Sequence, residues 1–168
     1  MKAPSQQDFE FYDGFRPLVL SPEKSVPTAR EPRRYPVRVD VSKLSKAFDN
    51  AKEKGLRFVK MRLLGNGIAL RFEPAGPRAK AENAGAIYAL DDKYSTYLGK
   101  IIGGRFMRSH ACSDEQNAAV IAACGSPLDA AVAFGKKFGI CSCCGRELSN
   151  ELSVELGIGP ICRGKFFG

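Results

Sequence analysis

The stretch CSCCGRELSNELSVELGIGPIC, residues 141–162, constrains the fold more than any other part of the chain, because sulfur atoms at fixed spacing dictate where the backbone must turn. Cys141 and Cys144 form C-x2-C followed by Gly145. This is the spacing of a metal knuckle, in which a tight turn brings two thiolates to one ion and the glycine lets the backbone pass close beneath it. Cys162 follows at C-x17-C, inside the window for a zinc site made of two separated halves. The second half should end in another C-x2-C, but position 165 is Lys. Structural zinc is almost always four-coordinate, so the segment is one ligand short. His110, the only histidine, is the first candidate for the fourth place, with Cys112, Cys124 and Cys143 as alternatives. Cys143 lies between the knuckle ligands, where a side chain usually points away from the ion; His110-Ala111-Cys112 could be returned by two short helices. Solvent in the fourth place would instead mark a catalytic or labile metal. A redox C-x-x-C lacks βαβ surroundings here, and a metal-free set of buried thiols is the plain alternative. Zn2+ is the expected cofactor, since thiolates in short knuckles suit it better than an iron–sulfur cluster.

The net charge of +8 is uneven along the 168 residues. Lys and Arg stand at 6 against 5 Asp and Glu in residues 1–36, at 15 against 7 in residues 37–110, and at 5 against 6 in residues 111–168. The middle of the chain carries the whole excess. A localised basic surface points to a polyanion, nucleic acid before an anionic membrane, although a basic face can also serve solubility alone. No run approaches the roughly 20 apolar residues of a membrane-spanning helix, and MKAPSQQDFEFYDGF lacks the apolar core of a secretory signal. The expectation is a cytoplasmic protein, without membrane attachment, whose six cysteines are reduced, metal-bound or catalytic rather than disulfide-paired.

Three regions follow from composition. Six of ten prolines fall in residues 1–36, which read as an extended arm carrying Phe9, Phe11, Tyr12 and Phe15 among Asp8, Glu10 and Asp13. Such a mixture forms either a partner-binding peptide or a cover for the protein's own core. Residues 37–138 read as a basic α+β domain. Val41, Leu44, Ala47, Phe48 and Ala51 mark an amphipathic helix capped by Asp40 or Ser42 and stopped at Gly55. RFVKMRLLGNGIALRF then gives two alternating runs around Gly65-Asn66-Gly67, a hairpin signal. By parity Val59, Met61 and Leu63 face one way, and Phe58, Lys60 and Arg62 the other, with Arg71 joining the second set from the opposite strand. Phe58, Lys60, Arg62 and Arg71 are thus the candidate nucleic-acid contacts, cations for phosphate and a ring for stacking. Half-buried strands also place Lys and Arg outward for solvation alone. Further strands are expected at 86–90, 94–102 and 105–107, making a small antiparallel meander packed on the first helix. A short helix starts at Ser113-Asp114-Glu115, and another spans 127–134. Residues 139–168 form the cysteine knuckle, with a turn at Gly157-Ile158-Gly159-Pro160 opening a final short helix.

Residues 139–162 resemble a small domain of unknown function found mainly in bacteriophage and bacterial proteins, through Gly139, Cys141, Cys144, Gly145, Arg146, Leu148, Ser153, Gly157, Gly159, Pro160 and Cys162. The resemblance implies a phage or bacterial origin and a zinc-binding module with three recurring cysteines. It supplies no reaction. Arg146, next to the knuckle, is expected to hold the thiolate loops from behind by bonding an opposite carbonyl, or else to face a phosphate.

The expected function is non-enzymatic: a zinc-binding phage or mobile-element protein whose basic sheet face binds nucleic acid, DNA before RNA. The alternative is an interaction module that modulates a host protein through Phe9, Phe11, Tyr12 and Phe15. A lone histidine, no paired acids and no phosphate loop leave only an open zinc as a basis for catalysis.

Overall fold

The structure, a computed structural model, describes residues 36–168, which fall within one compact unit. The arm residues Phe9, Phe11, Tyr12 and Phe15 lie outside the described residues.

The architecture is α+β. Strands β1 (Val37–Arg38), β2 (Met61–Gly65), β3 (Ile68–Pro74), β4 (Ile87–Asp91), β5 (Tyr97–Ile102) and β6 (Arg105–Arg108) build a single antiparallel sheet in the order β1-β6-β5-β4-β3-β2. Five helices accompany it: α1 (Ser42–Glu53), α2 (Asp114–Gly125), α3 (Pro127–Phe138), α4 (Glu151–Leu156) and α5 (Pro160–Phe167). None of them alone is long and apolar enough to cross a bilayer; α2 and α3 meet at a bend of 114°.

The β2–β3 hairpin turns on Asn66 and Gly67, both at positive φ, as Asn-Gly turns require. Its register pairs Met61 with Phe72 and Leu63 with Leu70, so four fully buried side chains line up on one face. Ile87, Ile101 and Phe106 continue that stripe across β4, β5 and β6. Helices α2 and α3 pack over β2, α2 reaching β3 as well. A capping box starts α2: the Ser113 hydroxyl accepts from the Gln116 N–H at 3.1 Å, and the Gln116 side-chain oxygen accepts from the Ser113 N–H at 3.0 Å.

The structure departs from the sequence reading in several places. Strand β2 starts at Met61: its ladder with β3 ends at the Met61–Phe72 pair, and residues 57–60 lie outside it although β3 runs on to Pro74. Phe58 and Lys60 therefore precede the sheet instead of sitting on it. The N-cap of α1 is Val41, while Asp40 accepts from the backbone and hydroxyl of Ser42 at 3.0 and 2.7 Å. Helix α1 packs against α5, and its Leu44, Ala47, Phe48 and Ala51 join the same buried core as the inner face of the sheet. Helix α3 runs on to Phe138, and β1 and α4 are additions.

Burial separates residues of one type. Leu63 is fully buried, whereas Leu152 is 53% exposed. Leu63→Ala is expected to cost about 3 kcal/mol of unfolding free energy and Leu152→Ala well under about 1 kcal/mol, read from urea denaturation followed by circular dichroism.

Candidate metal centre

Local backbone geometry makes the cysteine cluster. Helix α3 ends on Gly139 in the left-handed conformation, and the chain turns into a short hairpin. Ile140 bridges Glu147, the Cys141 N–H donates to the Arg146 carbonyl at 2.8 Å, and the Leu148 N–H donates to the Gly139 carbonyl at 2.9 Å. Across the tip the Gly145 N–H donates to the Cys141 carbonyl at 2.9 Å, with Gly145 at φ +75°. A left-handed residue here is cheap only without a Cβ.

The hairpin docks on the outer edge of the sheet. The Arg62 N–H of β2 donates to the Ser142 carbonyl at 2.8 Å, so an edge amide that would otherwise face solvent is satisfied. Ser142 is buried, with its hydroxyl 3.6 Å from the Cys143 sulfur.

Cys162 arrives from the other side. Asn150 caps α4 by accepting from the Ser153 N–H at 2.7 Å, and Gly157 ends that helix in the left-handed conformation. The backbones of α3 and the α4–α5 turn touch: a Cβ on Gly135 would collide with the Gly157 carbonyl, and one on Gly157 would come within 2.5 Å of the Val132 carbonyl. Ile158 is fully buried beside this contact, and Pro160 opens α5. Cys162 occupies the first turn of α5. The helix is tied to α1 by the Asn50 amide and the Lys54 ammonium, which donate to the carbonyls of Phe166 and Gly164 at 3.1 and 2.6 Å.

The sulfurs of Cys141, Cys144 and Cys162 consequently lie within 4.8 Å of one another. Tetrahedral zinc with bonds near 2.3 Å places its sulfurs about 3.8 Å apart, so closure on an ion needs movements of about 1 Å or less. The donor set, three thiols at a knuckle and a helix start, fits a thiophilic ion. Hydrogen bonds from the thiols of Cys143 and Cys162, and from the N–H groups of Cys144 and Gly159, hold Cys141 well below the usual thiol range. The hydrogen bond to that sulfur, aided by burial, pushes Cys162 up to about 12. Cys143 is raised for the same reason. The sulfurs are thus close enough to hydrogen-bond one another, and a cation would take the place of the protons between them.

Of the four expected candidates for a fourth ligand, His110, Cys112 and Cys124 stand apart from the three sulfurs and Cys143 touches two of them. His110 is exposed in the turn after β6 and does not join the three sulfurs. Cys112 is buried, its thiol directed at the Ser113 carbonyl 3.5 Å away, and Cys124 is a core residue whose thiol burial pushes up to about 12, with Asp40 nearby. Cys143 is in contact with Cys141 and Cys162 but falls outside the set of sulfurs mutually within 4.8 Å. Two sequence expectations about arginines also change. Arg146 braces the hairpin through its backbone carbonyl, while its exposed side chain bonds no opposite carbonyl among the described residues, which leaves the phosphate-facing alternative open. Arg62 takes the supporting place: its Nε is 3.0 Å from Asp92 Oδ1, and its buried Nη1 lies so close under Gly145 that a Cβ there would sit 3.1 Å away. Arg71 is likewise engaged, 2.9 Å from Glu73 and 3.3 Å from the Ser95 hydroxyl. Both are neutralised by partners 30 and 2 residues away, so neither is a free phosphate contact.

Phe58 and Lys60 do remain exposed, and they line a groove of about 560 Å³ whose floor includes the cysteines. Sequence reasoning missed Lys165 and Ile161 in the same groove. Helical spacing carried a signal for Lys165, three residues after Cys162 and therefore on its side of α5.

Residues 131–167 match the model of a family of unknown function (DUF6011). That match covers the end of α3, the knuckle, α4 and α5, the whole of the unit that carries the three sulfurs. No curated protein and no solved structure matches the chain.

The backbone contact gives a test. Gly135→Ala is expected to destabilise the fold by about 2 kcal/mol or more, and to weaken metal retention in parallel, because relief of the clash separates α3 from the turn that presents Cys162. Urea unfolding and competition with a chromophoric chelator read the two effects.

Proposed function

We propose that the chain is a zinc-binding, non-enzymatic protein that binds nucleic acid through the basic surface of residues 37–110, in the reducing cytoplasm of a phage- or mobile-element-bearing host. For the metal, the supporting observation is the mutual approach of Cys141, Cys144 and Cys162. Three thiolates around Zn2+ leave one negative charge over, which Arg62, held against Gly145, is placed to offset. The ion would supply the cross-link between the knuckle and α5 that so short a segment cannot make with apolar contacts alone.

For nucleic acid, the observation that carries the reading is the confinement of the charge excess, 15 Lys and Arg against 7 Asp and Glu in residues 37–110. With Arg62 and Arg71 committed to ion pairs, the cations left for phosphate include Arg57, Lys60 and Arg105, all exposed. DNA is the first substrate to try.

Purified protein is expected to hold one equivalent of zinc, to lose it in Cys141→Ser and Cys162→Ser, and to melt roughly 5 °C or more lower after chelation. Gel-shift titration with DNA and RNA should give affinities that fall steeply with salt. Metal-free protein whose melting chelators leave unchanged would end the zinc reading. Absence of any shift at low salt would end the nucleic-acid reading.

A further inference from the structure

Among the exposed apolar side chains Phe58 stands out by degree, at 95% exposure, and by place. Single exposed apolar residues are ordinary on protein surfaces, so exposure alone decides nothing. Phe58, however, lines two grooves at once: the one of about 560 Å³ over the cysteines and a neighbouring one of about 940 Å³. Its sequence neighbour Val59 is buried, which anchors the segment and holds the ring out between the two.

Cations flank the ring on both sides. Lys52, Arg57 and Lys60 line the larger groove, and Lys60, Arg146 and Lys165 the smaller. The acids in the two linings are Glu73 and Glu147, and Glu73 is engaged by Arg71 at 2.9 Å. The side chains of Arg57, Lys60, Arg146 and Lys165 make no hydrogen bond or ion pair among the described residues, in contrast to Arg62 and Arg71. Unsatisfied cations around an apolar aromatic face match a chain of phosphates that carries flat, unpaired bases.

We propose that a single-stranded nucleic acid crosses the Phe58 ridge, with one base stacked on the ring and its backbone phosphates held by Lys60 and Arg57 on one side and by Arg146 and Lys165 on the other. The inference rests on the nucleic-acid reading above and gives it a place and a strandedness. A duplex keeps its bases stacked on each other and offers Phe58 nothing to stack on, whereas a single strand offers an aromatic face at every nucleotide. The site also depends on metal. Arg146 belongs to the knuckle and Lys165 to α5, so the wall that faces Phe58 is the unit the three cysteines hold together.

Fluorescence anisotropy with labelled oligo(dT), oligo(rU) and a DNA duplex of equal length tests the proposal on the full chain. The wild type is expected to prefer the single strands. Phe58→Ala should weaken oligo(dT) binding roughly tenfold without changing zinc content, melting temperature or the slope of affinity against salt. Lys60→Gln with Lys165→Gln should lower that slope by roughly 0.7 for each lost phosphate contact. Chelation should reduce binding to the level of the Lys60/Lys165 variant or below. Duplex preference, or oligo(dT) affinity unmoved by Phe58→Ala yet abolished by Arg105→Gln, would overturn this placement and leave the broader nucleic-acid reading standing. Equal competition by polyglutamate, with Phe58→Ala silent, would overturn it as well. No binding to any of the three probes would remove the broader reading and the inference together.

Discussion

Three sulfur atoms from segments separated by eighteen residues meet because the backbone of α3 rests directly on the backbone of the turn before α5. At that contact Gly135 faces the Gly157 carbonyl and Gly157 faces the Val132 carbonyl, and neither site has room for a side chain. The close approach fixes where the chain leaves α4, hence where Pro160 starts α5 and where Cys162 stands. Helix α3 and the turn that leads into α5 are thus fixed against each other by backbone packing. A metal ion at the three sulfurs, as proposed above, would require sulfur movements of only about 1 Å, so little conformational freedom would remain to be lost.

The same docking decides the fate of two arginines. Arg62 lies on the outermost strand, and once the hairpin accepts its N–H through Ser142 the side chain is enclosed between Asp92 and Gly145. A guanidinium held in this way braces the hairpin tip at Gly145 and is largely withdrawn from solvent. The basic character of the domain is therefore expressed elsewhere, on the segment that leads into β2 and on the rim of α5. The sheet acts as a scaffold for the cysteine unit, and the chemistry gathers at its edge.

Much of this was legible in the residues. The knuckle spacing, the Gly145 turn, the Asn66-Gly67 hairpin, the Ser113 cap and the Pro160 helix start all depend on contacts within a few positions, and each has a residue type that only one local geometry suits. What escaped depends on distance in sequence. The Arg62–Asp92 pair spans 30 residues, and no local pattern announces it. Parity placed Phe58 with Arg62 on one strand, but the β2–β3 ladder stops at the Met61–Phe72 pair, and the position opposite Phe58 in that register, Ala75, lies beyond the end of β3. Helix α4 had its signals, Asn150 before it and Gly157 after it, yet six residues are too few to show a period. His110 looked suitable by chemistry alone; the return of the chain through α2 and α3 serves the core, burying Val120, Ala123 and Phe134, and leaves the imidazole outside.

The two margins of the sheet are closed by unlike means. At one, β1 contributes two residues; at the other, the cysteine hairpin lends a single carbonyl to Arg62. The second closure is conditional, because the hairpin's grip on α5 runs through sulfur. If the three sulfurs hold an ion, as proposed above, its removal is expected to loosen that cover and bare a five-residue β-edge with Met61, Leu63 and Gly65 behind it. The expected failure is then self-association by strand addition, so that a metal bound there would govern the protein's solubility as well as its shape.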